Sequence, residues 1–343
     1  MRRIGPRLAL VLACLTLATT GFGRQQQVQA QQPAAAPVFG DERFGVTLTG
    51  DAQQLATLGS RWFITYSETP PPGTIPDSAV WVQYVGTSGS SPLPSNLAQR
   101  VAAHPGSSWL IGNEPNVWLS KSLEIQTGEQ YARSLHDAVD VIKRTDPTAM
   151  IVGPNILNFD FTCVSCPGIT SGHAWMDAFL ASYQANYNGL PPIDVWSIHA
   201  YPLDFVHLPT VNFSLMEEQI IEYRAYLDAI PALAGMPIWV TEVGAIWGYE
   251  GLEWKDSGNG DFKAYPVGAF RTDLLLSYMR ELLGWLSQNS SAMHIQRWFF
   301  FTTYYPGEPW QAMGGGINLL DGAGPGAALS PFGSLYRQLA SLP

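Results

Sequence analysis

Two short apolar runs in this sequence end in glutamate. Trp109-Leu110-Ile111-Gly112-Asn113-Glu114-Pro115-Asn116 breaks from apolar residues into polar ones and a proline. Pro237-Ile238-Trp239-Val240-Thr241-Glu242-Val243-Gly244 sets a carboxylate between apolar neighbours. A glutamate in such a run is not an ordinary surface residue, because a charge without partners is costly to bury. If both runs end at one face of a fold, the pair supplies a proton donor beside a carboxylate base or nucleophile. The plainer alternatives are a turn-forming Asn113 with a solvated Glu114, and a structural Glu242 paired with an arginine such as Arg61.

The elements that must position these residues alternate along the chain. Eight β-branched and aromatic runs read as strands: Phe44 to Leu48, Trp62 to Tyr66, Val80 to Val85, Trp109 to Asn113, Met150 to Pro154, Val195 to Ala200, Ile238 to Glu242 and Arg297 to Thr302. Between most of them lie segments of helical periodicity, the pattern of parallel strands joined by helices. Thr127-Gly128-Glu129-Gln130 is a capping box, and Tyr131, Leu135, Ala138, Val139 and Ile142 form the apolar face that follows, up to Asp146-Pro147. Leu274, Leu275, Tyr278, Leu282 and Leu286 mark a second helix. Thr69 to Ser78 is too rich in proline for one, so an extended crossover is expected there. The fold class expected is α/β, a single (β/α)8 TIM barrel. In that barrel the C-terminal strand ends form the active face, which puts Asn113, Glu114 and Glu242 together.

Met1-Arg2-Arg3 followed by the apolar stretch from Leu8 to Leu17 has the layout of a secretory signal peptide, with the small-residue site Val28-Gln29-Ala30 after it. Residues 1–30 are therefore expected to be a signal peptide, residues 31–40 a disordered lead-in and residues 41–343 one catalytic domain. A lipoprotein reading through Cys14 is the alternative. Charged residues make up 13% of the chain and aromatics 12%, with a formal net charge of −10, which argues against nucleic-acid or anionic-membrane partners. Few charges with many Trp, Tyr and Asn suit a neutral carbohydrate, whose apolar faces stack on aromatic rings. In an oxidising compartment Cys163 and Cys166 read as a disulfide; a redox pair, or half a zinc site with His173, lacks supporting ligands or context.

With these residues in place, the chain from about Phe44 to Leu342 resembles the clan A superfamily of glycoside hydrolases, (β/α)8 barrels with an Asn-Glu-Pro motif after the fourth strand and a glutamate after the seventh. The matching residues are Asn113, Glu114, Pro115 and Glu242; the resemblance extends to Trp196-Ser197-Ile198-His199-Ala200-Tyr201-Pro202 and to Trp298. It implies Glu114 as acid/base and Glu242 as nucleophile of a retaining mechanism on β-linked glycans. It also implies that His199 and Tyr201 face the sugar or the nucleophile, and that Trp298 floors the cleavage point. Retaining hydrolysis needs carboxyls about 5 to 5.5 Å apart. Repulsion and burial should then raise the pKa of Glu114, a hydrogen bond from Tyr201 should favour the charged form of Glu242, and Asn113 should contact the neighbouring sugar hydroxyl.

Trp118, Trp175, Trp247, Trp254 and Trp310 follow strand ends and are open to packing or sugar stacking, Trp247 being taken as a substrate contact. Asn155 and Asn158 could reach the substrate, Asp194 belongs to the opposite face, and Glu217, Glu218 and Glu222 read as a solvated helix face. His199 has no ligand partner at metal spacing in sequence, so neither metal nor cofactor is expected, and the protein is expected to act as a secreted monomer on an oligo- or polysaccharide. The other functions open are a transglycosylase on the same residues and a glycan-binding barrel without activity.

Overall fold

The computed structural model describes residues 39–87, 93–117, 126–160, 171–256, 262–305 and 317–342. Its strands are β1 (Phe44–Thr47), β2 (Trp62–Ile64), β3 (Val80–Val85), β4 (Ser108–Ile111), β5 (Met150–Leu157), β6 (Val195–Ala200), β7 (Ile238–Val243), β8 (Tyr249–Asp256), β9 (Phe262–Phe270) and β10 (Ile295–Phe300). Eight of them close into a parallel barrel in the order β1-β10-β7-β6-β5-β4-β3-β2. These are the eight runs identified above. The antiparallel hairpin β8-β9 is an addition, inserted where the chain leaves β7.

Seven helices cover the barrel among the described residues: α1 (Gln54–Leu58), α2 (Leu97–Ala103), α3 (Gly128–Thr145), α4 (Gly172–Tyr187), α5 (Phe213–Ala229), α6 (Thr272–Asn289) and α7 (Pro331–Ala340). The capping box forms at α3: Thr127 accepts from the Gln130 amide, Gln130 accepts from the Thr127 amide, and Tyr131, Leu135, Ala138, Val139 and Ile142 are buried beneath it. In α6 the buried face is Leu275, Tyr278, Met279, Leu282, Leu283 and Leu286, with Leu274 only half-buried. The proline-rich stretch between β2 and β3 crosses without a helix.

Strand alternation sorts the core into two layers. Ile64, Val82, Tyr84, Leu110, Val152, Val195, Trp239 and Phe299 fill the lumen. Their neighbours Phe63, Trp81, Trp109, Ile111, Ile151, Trp196, Ile198, Val240, Trp298 and Phe300 face the helices. Gly45 is a glycine for a packing reason: a Cβ there would lie 2.5 Å from the Phe299 ring in the lumen. At the N-terminal mouth the Arg297 guanidinium lies 3.7 Å from the Trp62 ring centroid and 5.5 Å from that of Trp239, closing the barrel with a cation–π stack. Asp194 also works at that end, accepting from the Ile151 amide at 2.8 Å and from Lys143 at 3.2 Å.

Candidate active site

Glu114 reaches the C-terminal mouth because β4 stops early. Gly112 takes φ of +74°, and an added Cβ would meet the Thr87 hydroxyl at 2.7 Å, so the strand turns at a residue with no side chain to clash. Glu114 itself sits in the left-handed region at φ of +46°. That conformation is costly for a residue with a Cβ, and surrounding hydrogen bonds hold it. The Glu114 amide donates to the Asn155 carbonyl at 3.0 Å, and Asn116 brackets Leu157, accepting from its amide and donating to its carbonyl. Asn155 donates from Nδ2 to the Gly112 carbonyl at 2.9 Å and accepts from the Thr241 hydroxyl at 2.9 Å. One side chain thus ties the turn that carries Glu114 to the strand that carries Glu242.

Glu114 and Glu242 converge on His199. His199 Nδ1 is 3.1 Å from Glu114 Oε1 and 3.6 Å from Glu242 Oε2, and one donor atom from each of the three residues lies within 4.8 Å of the others. Tyr201 donates to Glu242 Oε2 at 2.7 Å. Glu114 is 7% exposed, Glu242 5% and His199 0%. Burial raises Glu114 to about 7. Burial also raises Glu242, reinforced by the Glu114 charge and opposed by His199 and by hydrogen bonds from Tyr201 and Tyr66. His199 is pushed down by burial against the pull of Glu242. Tyr66 and Tyr201 are raised well above their ordinary value by burial and then by Glu242, so both stay protonated donors. The expected elevation of Glu114 is present with burial as its cause, while charge repulsion acts on Glu242.

The three donor atoms are close enough for a single cation, although His199 has no such partners nearby in sequence. Each already has a hydrogen-bond partner, with Tyr66 on His199 Nε2 and Tyr201 on Glu242. The arrangement suits proton transfer beside a carboxylate nucleophile. Glu242 is not a structural partner of Arg61, which pairs with Glu42 instead.

Several expected contacts fall elsewhere. Trp298 is 0% exposed and faces the helix layer, its ring 4.8 Å from that of Phe44, so it presents no face to a sugar. Alternation explains this: Phe299 points into the lumen, and the next residue of that parity is Phe301, which packs at 6.5 Å against Tyr201 beside Val117, Leu157, Leu203 and Ile246. Trp247 is 1% exposed and donates to the Gly251 carbonyl, anchoring the root of the hairpin rather than lining the mouth. Trp175 is likewise buried, bonded to the Gln126 carbonyl. Asn155 and Asn158 are fully buried braces; Asn158 pairs with the backbone of Tyr201. Asn113 is half-buried, and its Oδ1 is buried with no hydrogen-bond partner among the described residues. Cys163, Cys166, Trp118 and Trp310 lie outside the described residues. Tyr66 and Phe301 are additions to the site, and Tyr66 belongs to no motif.

A 158-residue stretch is 26% identical to a probable alpha-L-arabinofuranosidase C of Aspergillus flavus, covering 45% of this chain and 29% of that protein. The chain therefore spans less than a third of the length of the curated relatives it matches. A GH128 (subgroup II) endo-beta-1,3-glucanase of Pseudomonas viridiflava superposes with a TM-score of 0.55 at 21% identity, over 88% of this chain and 98% of that one. A curdlan-specific GH128 (subgroup III) exo-beta-1,3-glucanase of Blastomyces gilchristii, in complex with glucose, gives 0.55 at 18%, over 86% and 97%. At these identities the structures share the fold. The profile of the family described as glycosyl hydrolase catalytic core matches residues 46–336, nearly the whole barrel with both glutamates inside it, and the chain belongs to that family of glycoside hydrolases.

Proposed function

We propose that the protein is a retaining glycoside hydrolase acting on β-linked glycans, with Glu114 as acid/base and Glu242 as nucleophile. The observation that carries this reading is the approach of the two carboxylates to within 4.8 Å. An inverting pair stands about 6.5 to 9.5 Å apart to admit a water between carboxylate and sugar, and a nucleophilic carboxylate needs none. The division of roles follows from environment. Glu114, raised to about 7 by burial, is held as the acid, and the Tyr201 hydroxyl favours Glu242 as the carboxylate. Glu114 protonates the glycosidic oxygen as Glu242 attacks the anomeric carbon; Glu114 then takes a proton from the water that releases the sugar. The half-buried Asn113, beside Glu114 in the chain, suits a sugar hydroxyl next to the reacting carbon.

Among β-glycans, a β-1,3-glucan is the first substrate to test, because the solved glucanases of the same fold are described as acting on it. An α-L-arabinofuranoside, outside the β-linked class, is the rival substrate to test, on the strength of the partial match to the Aspergillus proteins. The layout of the N-terminus supports export, with residues 1–30 removed, residues 31–40 a lead-in and residues 41–343 a monomeric catalytic domain. In an exported protein Cys163 and Cys166 pair, so thiol titration of the unreduced enzyme finds no free cysteine.

The roles are tested by substitution. Glu114→Gln should lose on the order of 10²-fold or more on natural glycans and much less on substrates with good leaving groups, since acid help matters only for poor ones. Azide should rescue it with retained configuration. Glu242→Gln should be inactive on both substrates, because no covalent intermediate forms. Leaving-group rescue of Glu242→Gln instead would reverse the assignment.

A further inference from the structure

Tyr66 follows β2, on a segment that carries neither glutamate, and holds the left-handed region at φ of +47°. Its hydroxyl lies 3.0 Å from His199 Nε2 and 3.2 Å from the Thr241 carbonyl oxygen. A phenol has one proton to give. The Thr241 carbonyl can only accept, and so can a Glu242 carboxylate, whose rise in pKa on burial the same hydroxyl opposes. Thr241 falls at the register shift of β7 against both β6 and β10, which is where its carbonyl leaves the regular ladder spacing and meets Tyr66. With the phenol proton directed at these acceptors, the Tyr66 oxygen accepts from His199 Nε2–H.

The imidazole then carries its proton on Nε2 and a lone pair on Nδ1. Nδ1 faces Glu114 Oε1 at 3.1 Å. Opposite an ionised carboxylate that lone pair is repulsive; opposite a protonated one it accepts an O–H···N hydrogen bond. We propose that Tyr66 is a positioning residue: it fixes His199 as the Nε2–H tautomer, and Nδ1 then holds the acid/base Glu114 in its protonated, donating form between turnovers. The proposal rests on the reading of Glu114 as acid/base. The other titratable groups around this pair are Glu242 on β7, Tyr201 after β6, and Tyr84 on β3, whose ring lies 5.7 Å from that of Tyr66. Burial acts in the same sense, pushing His199 down and Glu114 up, so that both are neutral together.

Two measurements test it. In two-bond proton–nitrogen spectra of the histidine-labelled enzyme, with His199 assigned through its backbone, Nε2 should be protonated and Nδ1 not. In Tyr66→Phe the imidazole is free to place its proton on Nδ1 and donate to an ionised Glu114, so the basic limb of kcat/KM should move to lower pH by about one unit. That variant should keep more activity on substrates with good leaving groups than on natural glycans. A packing role alone would lower activity at every pH without moving the limb. An Nδ1–H tautomer in the wild-type enzyme overturns the proposal whether or not the variant folds, and so does an unmoved limb in a folded Tyr66→Phe. If Glu114 is not the acid, its leaving-group test fails while the tautomer is still read from the spectrum, so the two failures are distinguishable.

Discussion

At the scale of residues, burial raises both carboxyl groups, and hydrogen bonds from tyrosines oppose the rise at Glu242. Burial holds Glu114 near 7, so with Glu114 as the proposed acid the protonated form is lost as pH rises through that value, and the basic limb of kcat/KM should fall there. As the proposed nucleophile Glu242 must be ionised, and its raised pKa should produce an acidic limb above the ordinary carboxylate range. Tyr201 opposes that rise through its 2.7 Å hydrogen bond. Tyr201→Phe should therefore move the acidic limb to higher pH while leaving the basic limb in place; a shifted basic limb would tie Tyr201 to Glu114 instead. Glu114 is legible in the sequence because an apolar run breaks there into polar residues, and Glu242 because a carboxylate interrupts an apolar run, whereas His199 and Tyr201 are legible only through the resemblance to clan A. Tyr66 is not, since its partner His199 lies far along the chain and no local pattern marks the pairing.

Among the elements, the strands are legible because parallel strands buried on both faces must read as continuous apolar runs. Which face each residue takes is harder to read, because one residue of register reverses it. Trp298 shows the consequence: the strand is identified correctly, but its tryptophan packs against Phe44 while Phe299 enters the lumen. The hairpin β8-β9 is not read from the sequence, because Tyr249–Asp256 carries Glu250, Gly251, Glu253, Lys255 and Asp256, residue types depleted in strands. Bracing between elements is testable at Asn155, which sits at φ of +58° and links the β4 turn to β7. Asn155→Leu should lose about 2 to 4 kcal/mol, from unpaired buried groups and left-handed backbone together, in chemical denaturation. Gly45→Ala should cost about 1 to 3 kcal/mol by driving a methyl into the Phe299 ring, with kcat/KM unchanged in the folded fraction.

For the whole molecule, the site is a stability cost that depends on pH. Folding raises Glu114 from its ordinary 4.5 to about 7, so the folded state favours the protonated form. The associated stability is fully present below about 4.5 and is lost as pH rises through about 7, a loss on the order of 3 kcal/mol. Glu114→Gln, which cannot ionise, should accordingly melt higher than wild type at pH 8 and show little advantage at pH 4. Equal Tm differences at both pH values would mean that the carboxyl is not held neutral. The barrel places this cost at its C-terminal mouth. At the other, Arg297 stacks between Trp62 and Trp239, behind a lumen filled by Ile64, Val82, Leu110 and Phe299. Sites that share no partners contribute independently. The Arg297 mouth is thus a place where breeding for heat tolerance can proceed by random variation and selection, with the catalytic mouth left to a separate campaign for substrate choice.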